Sequence, residues 1–494
     1  MARHLLRPAL VVLAALVVLF TPTALAGPGT AGPNVKVSGA SPFATCTADN
    51  VAGQTGTNYL NTEVEPWIEV SSVDRSGDGA PDRIGAYQQD RWSNGGSRGI
   101  VASVFHAGAW QQVVIPGVSK CSGGAFDRAT DPWVAIAPNG DAYVMTLTFQ
   151  DFPTFSTSIM YVNKSVNGGL SWGPPVQLVR DDSLFAFNDK NSMTEDPFDS
   201  NFVYAIWDRS RFPSDKREIH SISGFPRSFR SDAIFTRTTN GGASWEPARA
   251  IFMPKANQFG IGHQIAVVRA GAHRGRLVDV FTLFHGSGAN KKGQELAVLI
   301  SDDRGVTWSA PITVRKFMPG FVSDPDDGTP LRTEDILPEV GAGPNGELYI
   351  VWQEATLAPS GSAIAFSKSL DGGVTWTDPV RINTQPAVQA FTPSVEALAD
   401  GTIGVTHYDL RFNTPDPATL PTDYWFLHSH DGGATWNEAR VTPTSFDHKL
   451  APDAGGLFLG DYVGLAPAGS QFMTLFTKTE PTDRASEFVS TLSP

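Results

Sequence analysis

An eight-residue string, SLDGGVTW at Ser369–Trp376, recurs along this chain and constrains its fold more than any other feature. SVNGGLSW ends at Trp172, TTNGGASW at Trp245, SDDRGVTW at Trp308 and SHDGGATW at Trp436, with a fainter copy, SVFHAGAW, ending at Trp110. Successive tryptophans are 62, 73, 63, 68 and 60 residues apart. Spacing of this kind marks one supersecondary unit used repeatedly, each copy burying its face against the next.

Each string follows a short apolar run, such as Ala363–Phe366, and precedes another, such as Val380–Ile382. Two strands joined by a tight turn is the simplest reading. Gly372 and Gly373 supply the positive φ that such a turn needs, and the Ser and Asp or Asn side chains can accept from its exposed amides. The tryptophan then covers the turn. The pattern resembles the Asp box, S-x-D-x-G-x-T-W, of the sialidase superfamily. That resemblance implies an all-β propeller of four-stranded blades with the boxes on the outer hairpins, away from the functional face.

Met1–Ala26 carries Arg3 and Arg7, an apolar run and Ala24-Leu25-Ala26, the pattern of a secretory signal with an A-x-A cleavage site. Residues 27–494 are then expected as one exported domain, monomeric and free of the membrane. Formal net charge is -13, and nucleic acid is an unsuitable partner for so acidic a chain. The two cysteines, Cys46 and Cys121, are expected to pair in an oxidising compartment, the alternative being two free thiols.

Strand-like openings recur at Pro66, Asp131, Pro197, His263, Pro338, Pro393 and Asp461, giving seven starts against six strings. The last unit lacks a fourth strand, which NVKVS (Asn34–Ser38) can supply, joining both chain ends and hiding an exposed edge. Seven blades are therefore favoured, with six, the number in sialidase catalytic domains, as the alternative.

One turn departs from the repeat. Asp74, Ser76, Asp78 and Asp82 form a D-x-S-x-D-G-x-x-D pattern, with oxygen ligands at alternating positions and Gly at the bend. It is similar to the calcium loops of integrin-type propellers and predicts a structural Ca2+, a solvated acidic turn being the alternative. No cofactor is required for catalysis on this reading.

If the strings join third and fourth strands, connections from second to third and from fourth to first strands lie on the opposite face. Those connections hold Arg91, Arg209 and Arg411 among the carboxylates Glu63, Glu65, Asp131, Glu195, Asp196, Glu334, Asp335, Glu354 and Asp461. Guanidinium groups bind carboxylates in two-pronged fashion, so the three arginines are candidates to grip an acidic sugar. Paired carboxylates are candidates to cleave a glycosidic bond. By the roles the resemblance implies, Tyr462 would be nucleophile, Glu354 its support and Asp131 the acid/base. The F-R-I-P signature around the first sialidase arginine is absent, and Arg91 lies in QQDRW instead.

Three functions follow: a secreted sialidase-like exo-glycosidase removing a terminal acidic sugar, a non-catalytic propeller binding glycan or protein, and a carboxylate-pair polysaccharide hydrolase. A basic connection, Arg211–Arg230, is a further candidate for drawing in an anionic ligand.

Overall fold

The computed structural model describes residues 27, 29–150, 157–212, 230–286 and 292–494. Met1–Ala26 lies outside the described residues, as does 213–229 of the basic connection. Among the described residues the regular elements are β-strands and short 3-10 turns, and no helix is long and apolar enough to cross a membrane.

The strands run in antiparallel units built in chain order. The first comprises Glu63–Val70, Arg83–Arg91, Ser97–His106 and Ala109–Val114. Equivalent units span 128–181, 186–252, 258–317, 339–381 and 390–440. In the final unit Gly464–Ala468, Gln471–Lys478 and Ser486–Ser493 are joined by Val35–Lys36, which pairs with Val489 and Phe488. The N-terminal segment thus covers the last strand's open edge, as the sequence predicts.

The first strands touch one another in order. Glu63–Val70 contacts Arg128–Ile136, and the series continues through Ala186–Glu195, Gln258–Val267, Glu339–Ala342, Ala390–Ala397 and Gly464–Ala468, which returns to Glu63–Val70. Apolar clusters fill the spaces between neighbouring sheets. One of them, around Trp133, Val144, Trp207 and Tyr462, draws side chains from the first three units and the last.

The octapeptides form the expected turns. Asp371 accepts from the Val374 and Thr375 amides at 3.1 and 2.9 Å and from Thr375 Oγ1 at 2.6 Å. Ser369 Oγ accepts from the Gly373 amide at 2.9 Å, and Trp376 Nε1 donates to Gly373 O at 3.1 Å. The fainter copy differs: Ala107 (φ 51°) and Gly108 (φ 83°) make a two-residue hairpin that Asp78 caps through the Ala107 amide at 2.6 Å. Cys46 and Cys121 form the expected disulfide, with Cα atoms 5.6 Å apart.

Registers fix the faces. Arg83 pairs with Val70 beside the 71–82 turn, whereas Arg91 pairs with Ser97 at the other end of its sheet. The Asp74–Asp82 turn lies against Gly168 of the first full octapeptide, so both turns share one side. Arg91, Arg209 and Arg411 all sit toward the opposite side.

Candidate functional site

The first strands do not run straight through the centre. Their registers shift at Val64/Trp67, Thr130/Trp133, Asp189/Ser192, Ile261/Gln264 and Phe391/Ser394. Within the shifts lie Glu65 (φ 58°), Asp131 (φ 52°), Lys190 (φ 42°), Gly262 (φ 74°) and Thr392 (φ 48°), all left-handed. A bulge re-aims a side chain, and non-glycine residues in this conformation store strain that the surrounding fold must hold. Three such strained bulges present an ionisable group at the face opposite the octapeptides.

Around those groups a charged cluster assembles. Arg332 grips Asp461 with two prongs, Nε to Oδ1 at 3.0 Å and Nη2 to Oδ2 at 2.5 Å, and lies 3.3 Å from Glu334 Oε1. Arg91 donates to Gln88 Oε1 at 2.8 Å, and Gln88 in turn donates to Glu65. Both guanidinium groups stack on Phe458, 4.8 Å and 4.4 Å from the ring centre. Lys190 Nζ sits 4.0 Å from the Tyr462 ring centre and 4.8 Å from that of Trp133.

Electrostatics tie these parts together. Burial pushes Glu65 well above the usual carboxylate range, and Asp131 and Asp461 add to it. Burial likewise raises Asp131, with Asp461 adding to the effect and Lys190 and Arg91 opposing it. Glu334 is pushed up to about 8 by burial and by Asp461, and Asp189 to about 7 by burial and by Asp131. Asp208 is fully buried, has no hydrogen bond of good geometry to either oxygen, and is raised by burial and by Asp189. Burial works against the charge of Arg332, but Asp461, Glu334 and Glu65 outweigh it. Glu334 and Asp189, in one shielded site, therefore hold protons near neutral pH, beside an Asp461 that is paired with Arg332. That is the pattern from which proton donors and nucleophiles are made.

Of the residues singled out by sequence, Asp131 stands in this cluster, its carboxyl accepting from Thr130 Oγ1 at 2.6 Å. Arg91 is there too. Arg209 is not bonded into it: it pairs with Asp181 of the preceding unit. Arg411 is clamped by Asp409 and by Glu438, at 2.7 and 2.6 Å, and stacks 3.4 Å over Trp425. The three guanidinium groups thus hold separate partner sets rather than a common pocket.

Tyr462 is 1% exposed, and its hydroxyl donates to Pro132 O at 3.2 Å, with the ring packed against Trp67 and Trp133. Glu354 lies in another unit, where it accepts from the Met318 and Thr356 amides, Thr356 Oγ1 and Trp352 Nε1. The Tyr462 hydroxyl is engaged by a backbone carbonyl and Glu354 is held in another unit, so no contact joins the two as nucleophile and support.

The acidic turn is held by its own chain. Asp74 accepts from the Gly77 and Gly79 amides, Asp78 from those of Ala80 and Ala107, and Asp82 from those of Arg75 and Ser76. All six carboxylate oxygens are thereby directed at N–H groups, and this arrangement does not fit a ready calcium cage. Among the described residues, ligand atoms of this kind gather within 4.8 Å only at Cys46, Asp49 and Cys121, two of which are joined by the disulfide.

Sequence reasoning missed Arg332, Asp189, Lys190 and Phe458. Arg332 stands two residues before Glu334 in the same connection, a signal that was present. Lys190 has no counterpart in the other units, so the repeat could not point to it.

No family model matches this chain, and no curated protein matches it. Among solved structures it is similar to a leech intramolecular trans-sialidase in complex with 2,7-anhydro-Neu5Ac, at 12% identity and a TM-score of 0.47, covering 94% of this chain and 98% of the other. It is similar to a Fusarium graminearum α-L-arabinofuranosidase of family GH93 with arabinobiose, at 11% identity and a TM-score of 0.45, covering 93% and 97%. A protein of unknown function from Dyadobacter fermentans matches at 15% identity and a TM-score of 0.44, covering 89% and 99%.

Proposed function

We propose that this protein is an exported glycoside hydrolase of seven four-stranded blades that cleaves a neutral glycan with carboxyl groups of its central face. The series of first-strand contacts supports seven blades rather than six. One observation carries the activity: Arg332 grips Asp461 in two-pronged fashion and lies 3.3 Å from Glu334, and the charge of Asp461 helps to raise Glu334 to about 8 and Asp189 to about 7. Glu334 protonates the leaving oxygen, and Asp461 acts on the opposite side of the bond, as nucleophile or as base toward water.

The engagement of the arginines favours a neutral substrate over an acidic one. Arg91 is held by Gln88 and Arg332 by Asp461, so both guanidinium groups of the cluster already have protein partners. A sugar carboxylate would find neither fork free to grip it. The proposed chemistry needs no metal. The expected state is a secreted monomer with glycan as its partner.

The test is release of reducing ends from a panel of neutral polysaccharides by the purified protein, with a fluorogenic sialoside alongside. Cleavage of a neutral glycan that is lost in Asp461→Asn supports the reading. Cleavage of the sialoside alone, dependent on Arg209 or Arg411, would overturn it.

A further inference from the structure

At the octapeptide end of the central channel, a second charged group surrounds a cavity of about 160 Å3. Glu69, Glu195 and Glu396 reach it from three different first strands, and Arg269 from just beyond a fourth. Glu195 and Glu396 both act on Glu69, and Arg269 acts on all three carboxyls. Among the described residues, however, Arg269 makes no ion pair or hydrogen bond. The opposite charges stand around the space without closing on each other.

A buried group from the channel wall is also left open. Trp67 is 5% exposed and lines this cavity, and its indole N–H faces Glu69 with no hydrogen bond of good geometry. Its ring stacks on Trp133 at 3.5 Å, giving the cavity an aromatic wall. The way in is a surface cleft of about 650 Å3 that shares Val70, Ile136, Glu195, Pro197 and Pro467 with the cavity.

We propose that this cavity binds a small amine that also carries a hydroxyl or carboxylate oxygen, with its ammonium among Glu69, Glu195 and Glu396 and its oxygen on Arg269 and the Trp67 N–H. Glu195 and Glu396 hold protons only up to about pH 7, and an ammonium can take the place of those protons among the three carboxyls. A bare metal ion does not suit the set, because Arg269 and the indole N–H present positive charge to it, and the three carboxyls do not gather at metal-ligand spacing. A plain anion meets the glutamates. The volume is close to that of engineered cavities, about 150 Å3, that hold a benzene-sized molecule, so an amino alcohol or small amino acid is the right scale. The site lies at the other end of the channel from the proposed hydrolytic centre and does not depend on it.

Ethanolamine is the probe, titrated calorimetrically into the exported protein beside ethylamine, sodium acetate and calcium chloride. Saturable binding of ethanolamine is expected, weakened about tenfold or more in Glu195→Gln and in Glu396→Gln. Arg269→Met is expected to erase the preference for ethanolamine over ethylamine. The Gln variants keep the size and polarity of the protonated carboxyls in a buried site, so their melting temperatures should not fall, which separates lost binding from lost folding. Absence of saturable heat with ethanolamine, equal affinity in both Gln variants, or calcium binding in its place would each overturn the assignment.

Discussion

Glu334 is the residue on which the proposed chemistry turns. Its carboxyl is pushed up to about 8 by burial and by Asp461, so it is protonated at neutral pH and able to give that proton to a leaving oxygen. As pH rises through about 8 the proton is lost, and the donor form goes with it. Activity should therefore fall on the alkaline side with a midpoint near pH 8, and Glu334→Gln should lower kcat by roughly 100- to 10,000-fold and remove that limb. A profile flat across pH 8 would dismiss Glu334 as donor. Only part of this centre was legible beforehand. The sequence placed Asp131, Glu334 and Asp461 correctly at first-strand entries, because repeat position predicts which connection a residue occupies. It could not say which arginine would turn inward. Arg209 and Arg411 find carboxylates in Asp181, Asp409 and Glu438 of their own or the preceding unit, while Arg332, in a short strand paired with Leu457–Phe458, reaches Asp461 just beyond that pairing.

At the scale of the element, the octapeptide shows why a turn can be read from sequence when a site cannot. The side-chain bonds that shape the Ser369–Trp376 turn are made within the string itself, with one addition from outside, Arg276 Nη1 to Gly372 O at 3.1 Å, so the string carries most of its own physical explanation. SVFHAGAW lacks the acid, and its hairpin borrows Asp78 from a neighbouring turn instead. Asp371 receives two amides and the Ser369 and Thr375 hydroxyls, whereas Asn167 receives one amide, from Ser171 at 3.1 Å, and the Ser165 hydroxyl, and donates to Ser171 Oγ. Loss of the charged acceptor leaves more donors unmet in the first case. Asp371→Ala should lower stability by about 1–3 kcal/mol in denaturant unfolding, and Asn167→Ala by less. Equal losses would show that the glycines and the tryptophan, not the acid, hold the turn.

Across the whole molecule, closing a ring around a channel gathers acidic groups that water would otherwise keep apart. Glu63 and Glu334 are pushed up to about 8, and Asp189, Glu195, Glu339 and Glu396 to about 7, with burial the first cause for each. In the unfolded chain the same groups release protons near their ordinary values, about 4. Between about pH 4.5 and 8 the folded protein therefore binds more protons than the unfolded one, and stability must fall as pH rises. Rim carboxylates work in the other direction: Asp303 and Asp431 are lowered to about 2 by hydrogen bonds within their octapeptides, despite some desolvation, and what they contribute is lost as pH drops below about 4. The two trends leave a maximum near pH 5. Melting temperature measured from pH 4 to 8 should peak there and decline by several degrees toward pH 8. In the double variant Glu195→Gln/Glu396→Gln the decline should be shallower, because two of the protons that drive it are gone. A melting temperature that rises from pH 5 to 8 would mean that these carboxyls are ionised and solvated, and that the channel is open water rather than a shielded cavity.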